Sequence, residues 1–314
     1  MENENKKQKR CKDGENESVL KSIKNRLFEE QQAFLQSIPK EAKNHFFSNN
    51  GPITPDERAE LWTKQADFGE RMVNKYAWAT PDERAIKIIK YFAPIVEVGC
   101  GRNAYWANTL KENGVDIIAY DFNVDSGGII LQNDEEGNLE NVSKSIQVKQ
   151  GGPEILSHES IFKSKRTLML CYPDEDFFVQ EPIEESNIQP EHTSLGIECL
   201  EHFKGDHIIH IGELYSDTLS MEQTPWGRSS SSQFQERLAG EYHCLLKASL
   251  PSWLHVRDTI SVWKRSERCS IVFEGEIDED TQEKEEDEEV EYKYIPIEER
   301  IPVDVAAPCV KHLL

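Results

Sequence analysis

The stretch IVEVGCGRNAYWANTLKENGVDIIAYD, residues 95–121, decides the fold. Ile95 to Gly99 is a short apolar run that ends in Gly99-Cys100-Gly101. Ala104 to Asn113 follows a helical pattern, and Gly114 stands where a helix takes its terminating glycine. Asp116 to Tyr120 is a second apolar run, and it ends at Asp121. Short apolar runs bounded by turns read as buried strands of a parallel sheet. The unit is therefore strand, glycine turn, helix, strand. Two acids interrupt its pattern: Glu97 inside the first strand and Asp121 at the end of the second.

Helices precede this unit. Thr80-Pro81-Asp82-Glu83 is a start signal, with a capping threonine, proline in the first turn and acids behind it. The helix it opens carries Ile86, Ile88, Ile89 and Phe92 and stops before Pro94. Thr54-Pro55-Asp56-Glu57 is the same signal for an earlier helix. Asn49-Asn50-Gly51-Pro52 separates that helix from residues 18–47, whose Leu20, Ile23, Leu27, Phe34 and Leu35 suit one amphipathic helix.

Beyond Asp121 the alternation continues. Residues 122–145 form a polar, Gly-containing loop, and Ser145 to Val148 is a weak third strand. Thr167 to Cys171 is a strong fourth strand, Glu191 to Phe203 a helix, and His207 to Ile211 a fifth strand. Gln233 to Leu238 is a short helix, and Glu241 to Leu246 with Thr259 to Trp263 form a closing strand pair. Alternating strands and helices with right-handed crossovers predict an α/β, doubly wound, mostly parallel Rossmann-like sheet of seven strands with an antiparallel final strand. The expected organisation is a disordered tail at 1–17, N-terminal helices at 18–75, an α/β domain at 76–273, and a largely disordered acidic segment at 274–314.

Composition narrows the classes of function. The formal net charge is −22 over 314 residues. Glu274 to Glu291 holds 12 acids and one base, so half of that net charge sits in one segment and the body is still acidic. An extended nucleic-acid groove needs clustered Lys and Arg and is not expected. The acidic run is expected to be solvated or to meet a basic protein partner. Seven cysteines, with no CxxC pair and no zinc-ligand spacing, read as reduced thiols and no metal site. No apolar run is long enough to span a membrane. The N-terminus lacks the apolar core of a secretory signal. These features point to a cytoplasmic protein, or a nuclear one if Lys6-Lys7-Gln8-Lys9-Arg10 serves as an import cluster.

The glycine turn and its acids describe a nucleoside site. Glycines let the backbone turn tightly and a ligand approach, and the following helix aims its N–H groups at that ligand. Asp121 lies 20 residues past Gly101, where a carboxylate accepts hydrogen bonds from a ribose diol. Gly99-x-Gly101-x-x-Ala104 also fits a dinucleotide fingerprint, so an NAD-dependent oxidoreductase is one reading. Glu97 argues for another, because a buried acid needs a partner such as a ligand ammonium group.

Val96-Glu97-Val98-Gly99-Cys100-Gly101 resembles motif I of the class I S-adenosylmethionine-dependent methyltransferases, an acid followed by Gly-x-Gly-x-Gly. The resemblance covers roughly residues 76–265, including the late strand pair that closes the family's sheet. Tyr76-Ala77-Trp78-Ala79 and Phe203-Lys204-Gly205-Asp206 are similar to an uncharacterised methyltransferase-like group. The resemblance implies S-adenosylmethionine as cofactor, held by Glu97, Gly99, Cys100, Gly101, Asn103, Asp121, Phe122 and Tyr172. It implies methyl transfer to an unidentified protein or small-molecule acceptor.

Two departures stand out. Asn103 replaces the third glycine, in a position where its tolerance of left-handed backbone would preserve the turn. After the fourth strand, Tyr172-Pro173-Asp174-Glu175-Asp176 stands where many members carry Asn- or Asp-Pro-Pro-aromatic. Asp174 and Asp176 are the candidate catalytic acids, to orient the acceptor or take its proton. The departures leave open a non-enzymatic relative that acts as an interaction module. His207 and His210 read as core or edge histidines, and Tyr76 and Trp78 as a lid or a packing surface. Pro225-Trp226-Gly227-Arg228 followed by four serines reads as a surface loop for substrate or phosphorylation.

Overall fold

The structure is a computed structural model that describes residues 25–48, 51–124, 132–133, 139–140, 146–174, 194–218, 222–272 and 289–294. The N-terminal tail with its basic cluster, Asp176, and the acidic run up to residue 288 lie outside the described residues.

The N-terminal segment folds as α1 (Arg26–Ser37), α2 (Lys40–Asn44) and α3 (Pro55–Lys75). The single amphipathic helix expected over 18–47 is split. Ile38 precedes proline, adopts an extended conformation at φ −79°, ψ 129°, and ends α1. At α3 the expected start holds: Glu57 N–H donates to Thr54 Oγ1 (3.2 Å), and Thr54 N–H donates to Glu57 Oε2 (2.8 Å). This is a reciprocal capping box. The repeat of that signal works differently. Helix α4 (Glu83–Tyr91) is capped by Asp82, whose Oδ1 accepts the Ala85 N–H at 2.7 Å. Thr80 is buried ahead of it, and the Pro81 carbonyl accepts from Asn25.

The sheet holds β1 (Ile95–Val98), β2 (Ile117–Asp121), β3 (Lys149–Gln150), β4 (Thr167–Cys171), β5 (His207–Gly212), β6 (Tyr242–Ser249) and β7 (Thr259–Arg265). Its spatial order is β3-β2-β1-β4-β5-β7-β6. The first five strands are parallel to one another, while β7 runs antiparallel to both β5 and β6. The expected fold class holds. The third strand is displaced: Ile146 and Val148 are buried, but the ladder to β2 forms only at Lys149 and Gln150. The late strands continue into β8 (Glu267–Val272), paired antiparallel with β9 (Glu289–Tyr294). The end of the acidic run is therefore a strand, where Val290, Tyr292 and Tyr294 supply residue types that favour extended chain.

Strand periodicity builds a core on each face. Ile95, Ile117, Ala119, Met169, Ile209 and Val262 face α4 and α5 (Tyr105–Glu112). Val96, Val98, Leu168, Leu170 and Ile208 face the other layer. That layer comprises a short 3-10 turn at Pro153–Ser157, α6 (Glu159–Lys163), α7 (Leu195–His202) and α8 (Ser232–Glu241). A third cluster fastens the N-terminal helices to the sheet: Leu27, Met72 and Tyr76 pack with Trp253, and the stacked Phe34 and Phe68 rings meet Trp253 edge-on. Gln65 adds Oε1 as acceptor for Leu254 N–H (3.0 Å) and contacts His255 Nδ1 through Nε2 (2.6 Å). Among the described residues no helix is long and apolar enough to cross a membrane.

His210 sits at the centre of β5, fully buried against Phe234, and neither ring nitrogen has a hydrogen-bond partner among the described residues. Burial holds its pKa down at about 3. The unfolded chain therefore takes up this proton near pH 6.5 while the folded chain does not. The neutral ring's contribution is complete above pH 6.5 and is lost as pH falls below it, at about 1.4 kcal/mol per pH unit. Glu97 and Asp258 titrate in the opposite sense, so the test is a difference. Urea unfolding of His210→Leu and the parent chain, compared from pH 6.5 to 4.5, is expected to show the variant gaining on the parent as pH falls. A difference that does not change with pH contradicts this role.

Candidate functional site

The chain switches direction between β1 and β4: it leaves β1 toward β2 and β3, then returns to β4 and β5 on the other side. Open α/β sheets bind ligands outside the carboxyl ends of strands at such a point. Here a cleft of about 850 Å³ opens there. Its walls come from the glycine turn, the ends of β2 and β4, Gly151-Gly152, and residues 73–78 at the end of α3.

Left-handed backbone shapes the glycine turn. Gly99 and Gly101 have φ of 73° and 69°, a region that favours glycine. A Cβ on Gly99 would lie 2.6 Å from Leu195 Cδ2, whereas one on Gly101 would meet nothing within 4 Å. Gly101 thus leaves open space at the cleft. The third left-handed residue is Ala104 at φ 42°, not Asn103. The expected reason for tolerating asparagine is corrected. Asn103 Nδ2 donates to the carbonyls of Asn74 (2.9 Å) and Tyr76 (3.3 Å), tying the turn to the end of α3.

Asp121 closes the turn from the other side. Its Oδ2 accepts the Gly101 N–H at 2.8 Å, and its Oδ1 accepts the Asn123 N–H at 2.9 Å. A carboxylate has about four acceptor directions, so two remain for a ligand. Phe122 follows, 58% exposed as a residue, and Gly152 leaves room for its ring. Glu97 sits in register between Ala119 of β2 and Met169 of β4 and is buried. Its Oε2 has no partner among the described residues. Burial, reinforced by the neighbouring Asp121 carboxylate, pushes its pKa up to about 8. Its side chain borders the cleft at the foot of the glycine turn.

Across the cleft, Tyr172 leaves β4 with φ 51°, a conformation that costs a non-glycine residue about 1–3 kcal/mol. Two contacts hold it there. Its ring stacks on Trp78 at 5.5 Å, and its hydroxyl donates to buried Asp258 Oδ1 at 2.5 Å. Burial pushes the Asp258 pKa up to about 7, the Tyr172 hydrogen bond opposing and Glu213 adding to the rise. Trp78, 41% exposed, thereby forms one wall of the cleft. Tyr76 lines the cleft too, but its hydroxyl is engaged with Glu30 Oε1 (2.6 Å) and its ring packs on Tyr105.

The structure brings Glu97, Gly99, Cys100, Gly101, Asn103, Asp121, Phe122 and Tyr172 to one cleft. Asp174 is elsewhere in the chemistry. It is buried and does not line the cleft. Its Oδ2 accepts from Ser194 Oγ (2.7 Å) and Ser231 N–H (2.8 Å), and its Oδ1 from Gly196 N–H (3.1 Å). One carboxylate thus anchors the N-termini of α7 and α8. The serine loop is corrected. Ser229, Ser230 and Ser231 are buried, and their hydroxyls are bonded to the Glu213 carbonyl, Gln235, and Ser194 with the Phe234 N–H. Asp258 and Glu213 escaped the sequence reading because a single acid between unrelated residues carries no local signal.

No protein-family model matches the chain, and no curated protein matches it.

Proposed function

We propose that the cleft binds S-adenosylmethionine and that the protein transfers its methyl group to a small-molecule or protein acceptor. The observation that carries this reading is Glu97: a buried carboxyl with an unpartnered oxygen, at the foot of a glycine turn that Asp121 closes. A dinucleotide needs no acid at that position, whereas an amino-acid ammonium group supplies the missing donor. Gly101 leaves room for close approach, and Asp121 keeps acceptor capacity for ribose hydroxyls. The sheet adds support. A dinucleotide fold completes its second half with a sixth parallel strand, while here an antiparallel strand follows β5 in space.

When bound, S-adenosylmethionine supplies a methyl group on a sulfonium centre for in-line displacement. The chain's contribution is alignment in a partly closed cleft. Trp78 and Tyr172 wall the acceptor side, and the clamp from Asn103 to α3 holds the N-terminal helices against the turn. Titration calorimetry with S-adenosylhomocysteine tests the reading. Saturable heat is expected, with NAD silent; no heat with either ligand would sink it.

Glu97 adds a pH signature. Near pH 7 its carboxyl is mostly protonated in the free protein. Pairing with a ligand ammonium favours the carboxylate, so binding releases about one proton. Affinity is expected to rise by up to about tenfold per pH unit between pH 6 and 7.5. Calorimetry in buffers of different ionisation heat measures this directly. Zero proton release together with a flat pH profile counts against the Glu97 contact.

One observation favours a second reading, a methyltransferase-like interaction module. Asp174, the described member of the expected catalytic pair, is fully engaged in holding α7 and α8 and offers no base to an acceptor. Cofactor binding without methyl transfer to any acceptor tried would favour that alternative.

A further inference from the structure

Next to Tyr172 along the carboxyl edge of the sheet, two loops converge on one buried acid. Glu213 follows β5, and its carboxyl accepts two backbone N–H groups: Arg257 on Oε1 at 3.1 Å and Arg228 on Oε2 at 3.2 Å. The backbones of Arg228 and Arg257 therefore flank one carboxylate. Both side chains are exposed. Among the described residues neither guanidinium has a hydrogen bond or an ion pair. Both lie within electrostatic range of Glu213, and Arg228 also of His255.

The two loops are held rigidly. A Cβ on Gly227 (φ 73°) would strike Glu213 Cβ at 2.4 Å, so this glycine lets the loop lie directly on the acid. The Trp226 carbonyl accepts from Gln235 Nε2 at 2.7 Å, and the Trp226 ring packs on Tyr215 at 4.6 Å. The Arg257 loop is fastened by Asp258, which bonds the Tyr172 hydroxyl and, through its N–H, Ser252 Oγ at 3.1 Å. Among the described residues, Glu213 is the carboxyl that both arginines approach, and its oxygens are taken up by their backbone N–H groups. Asp258, beside Arg257, ties this corner to Tyr172, which lines the cleft. Two guanidiniums acting on the same carboxyl suit a planar oxyanion, which they can grip with forked hydrogen bonds.

We infer that Arg228 and Arg257 form an anion site that holds a carboxylate or phosphate group of the methyl acceptor. This rests on the transferase reading for the word acceptor; the anion site itself does not. The acidic body makes the ligand a small anionic molecule rather than a polyanion, since a nucleic acid would need a continuous basic track.

The test is nitrogen-15 NMR of the arginine Nε–Hε groups in the full chain, titrated with inorganic phosphate and separately with succinate at constant ionic strength. Two signals, assigned by their loss in Arg228→Ala and Arg257→Ala, are expected to shift together and saturate in the millimolar range. Removing either arginine should weaken the response of the other by about tenfold. The anion that saturates at lower concentration names the acceptor's group. Uniform, non-saturating shifts of all exposed arginines, or no shifts, overturn the site. Both variants are expected to keep the parent's melting temperature and S-adenosylhomocysteine heat, because neither side chain packs in the core. Saturable anion binding in a chain that shows no cofactor heat would overturn the transferase reading and leave the anion site standing.

Discussion

Asp121→Ala is expected to weaken S-adenosylhomocysteine binding by about a hundredfold while the chain stays folded. Two losses combine. The ribose hydroxyls lose a charged acceptor, and hydrogen bonds to charged groups contribute about 1.5–3 kcal/mol each. The turn also loses its tie, because the Gly101 and Asn123 N–H groups both donate to this carboxylate. Asp121→Asn separates the two effects. It keeps an acceptor oxygen but removes the charge, so its affinity should fall between parent and alanine variant. Calorimetry measures the affinities, and circular dichroism checks the fold. Affinity unchanged in a folded Asp121→Ala protein would show that the ligand lies elsewhere.

The second large effect concerns stability. Asp174→Ala is expected to cost about 3–5 kcal/mol, read as a lower urea midpoint. The substitution orphans the Gly196 and Ser231 N–H groups in a buried place, and it removes the shared anchor of two helix N-termini. Ser194 can fall back on Ser231 Oγ, 2.9 Å away, which limits the loss. Asp174→Asn retains acceptor capacity and should cost less. Cofactor affinity, measured where both variants remain folded, should stay near the parent value. A catalytic base in this place would instead spare stability and remove turnover on replacement. A marginal change in the urea midpoint would reopen that role.

These two acids show what local pattern reveals and what it hides. Asp121 was legible because its meaning lies in spacing: a strand end, 20 residues past a glycine turn. Glu97 was legible because a charge inside an apolar strand contradicts its surroundings. Asp174 carried no such mark. Its partners, Ser194 and Ser231, are 20 and 57 residues away, and only packing of α7 against α8 unites them. The serine run misled for a related reason. Four serines in a row look solvated, yet each described hydroxyl from Ser229 to Ser231 finds a partner once Glu213 and α8 close over them.

Helix boundaries divide the same way. The Thr54 capping box is complete within four residues, so the chain alone specifies it. The similar signal at Thr80 gave way to Asp82, since Pro81 and Thr80 are drawn into contacts with Asn25 and the core.

By itself, then, the sequence determined the alternation of strands and helices, the glycine turn, and the two acids beside it. Those features depend on periodicity and spacing over fewer than 30 residues, which neighbouring side chains enforce locally. Tertiary structure alone decided the strand order, with β7 reversed between β5 and β6, and the identity of the cleft's far wall. It also decided the convergence of the Arg228 and Arg257 backbones on Glu213. Each of those joins residues far apart in the chain, and the cost of bringing them together is met by burial of the whole core, so no short segment can record it.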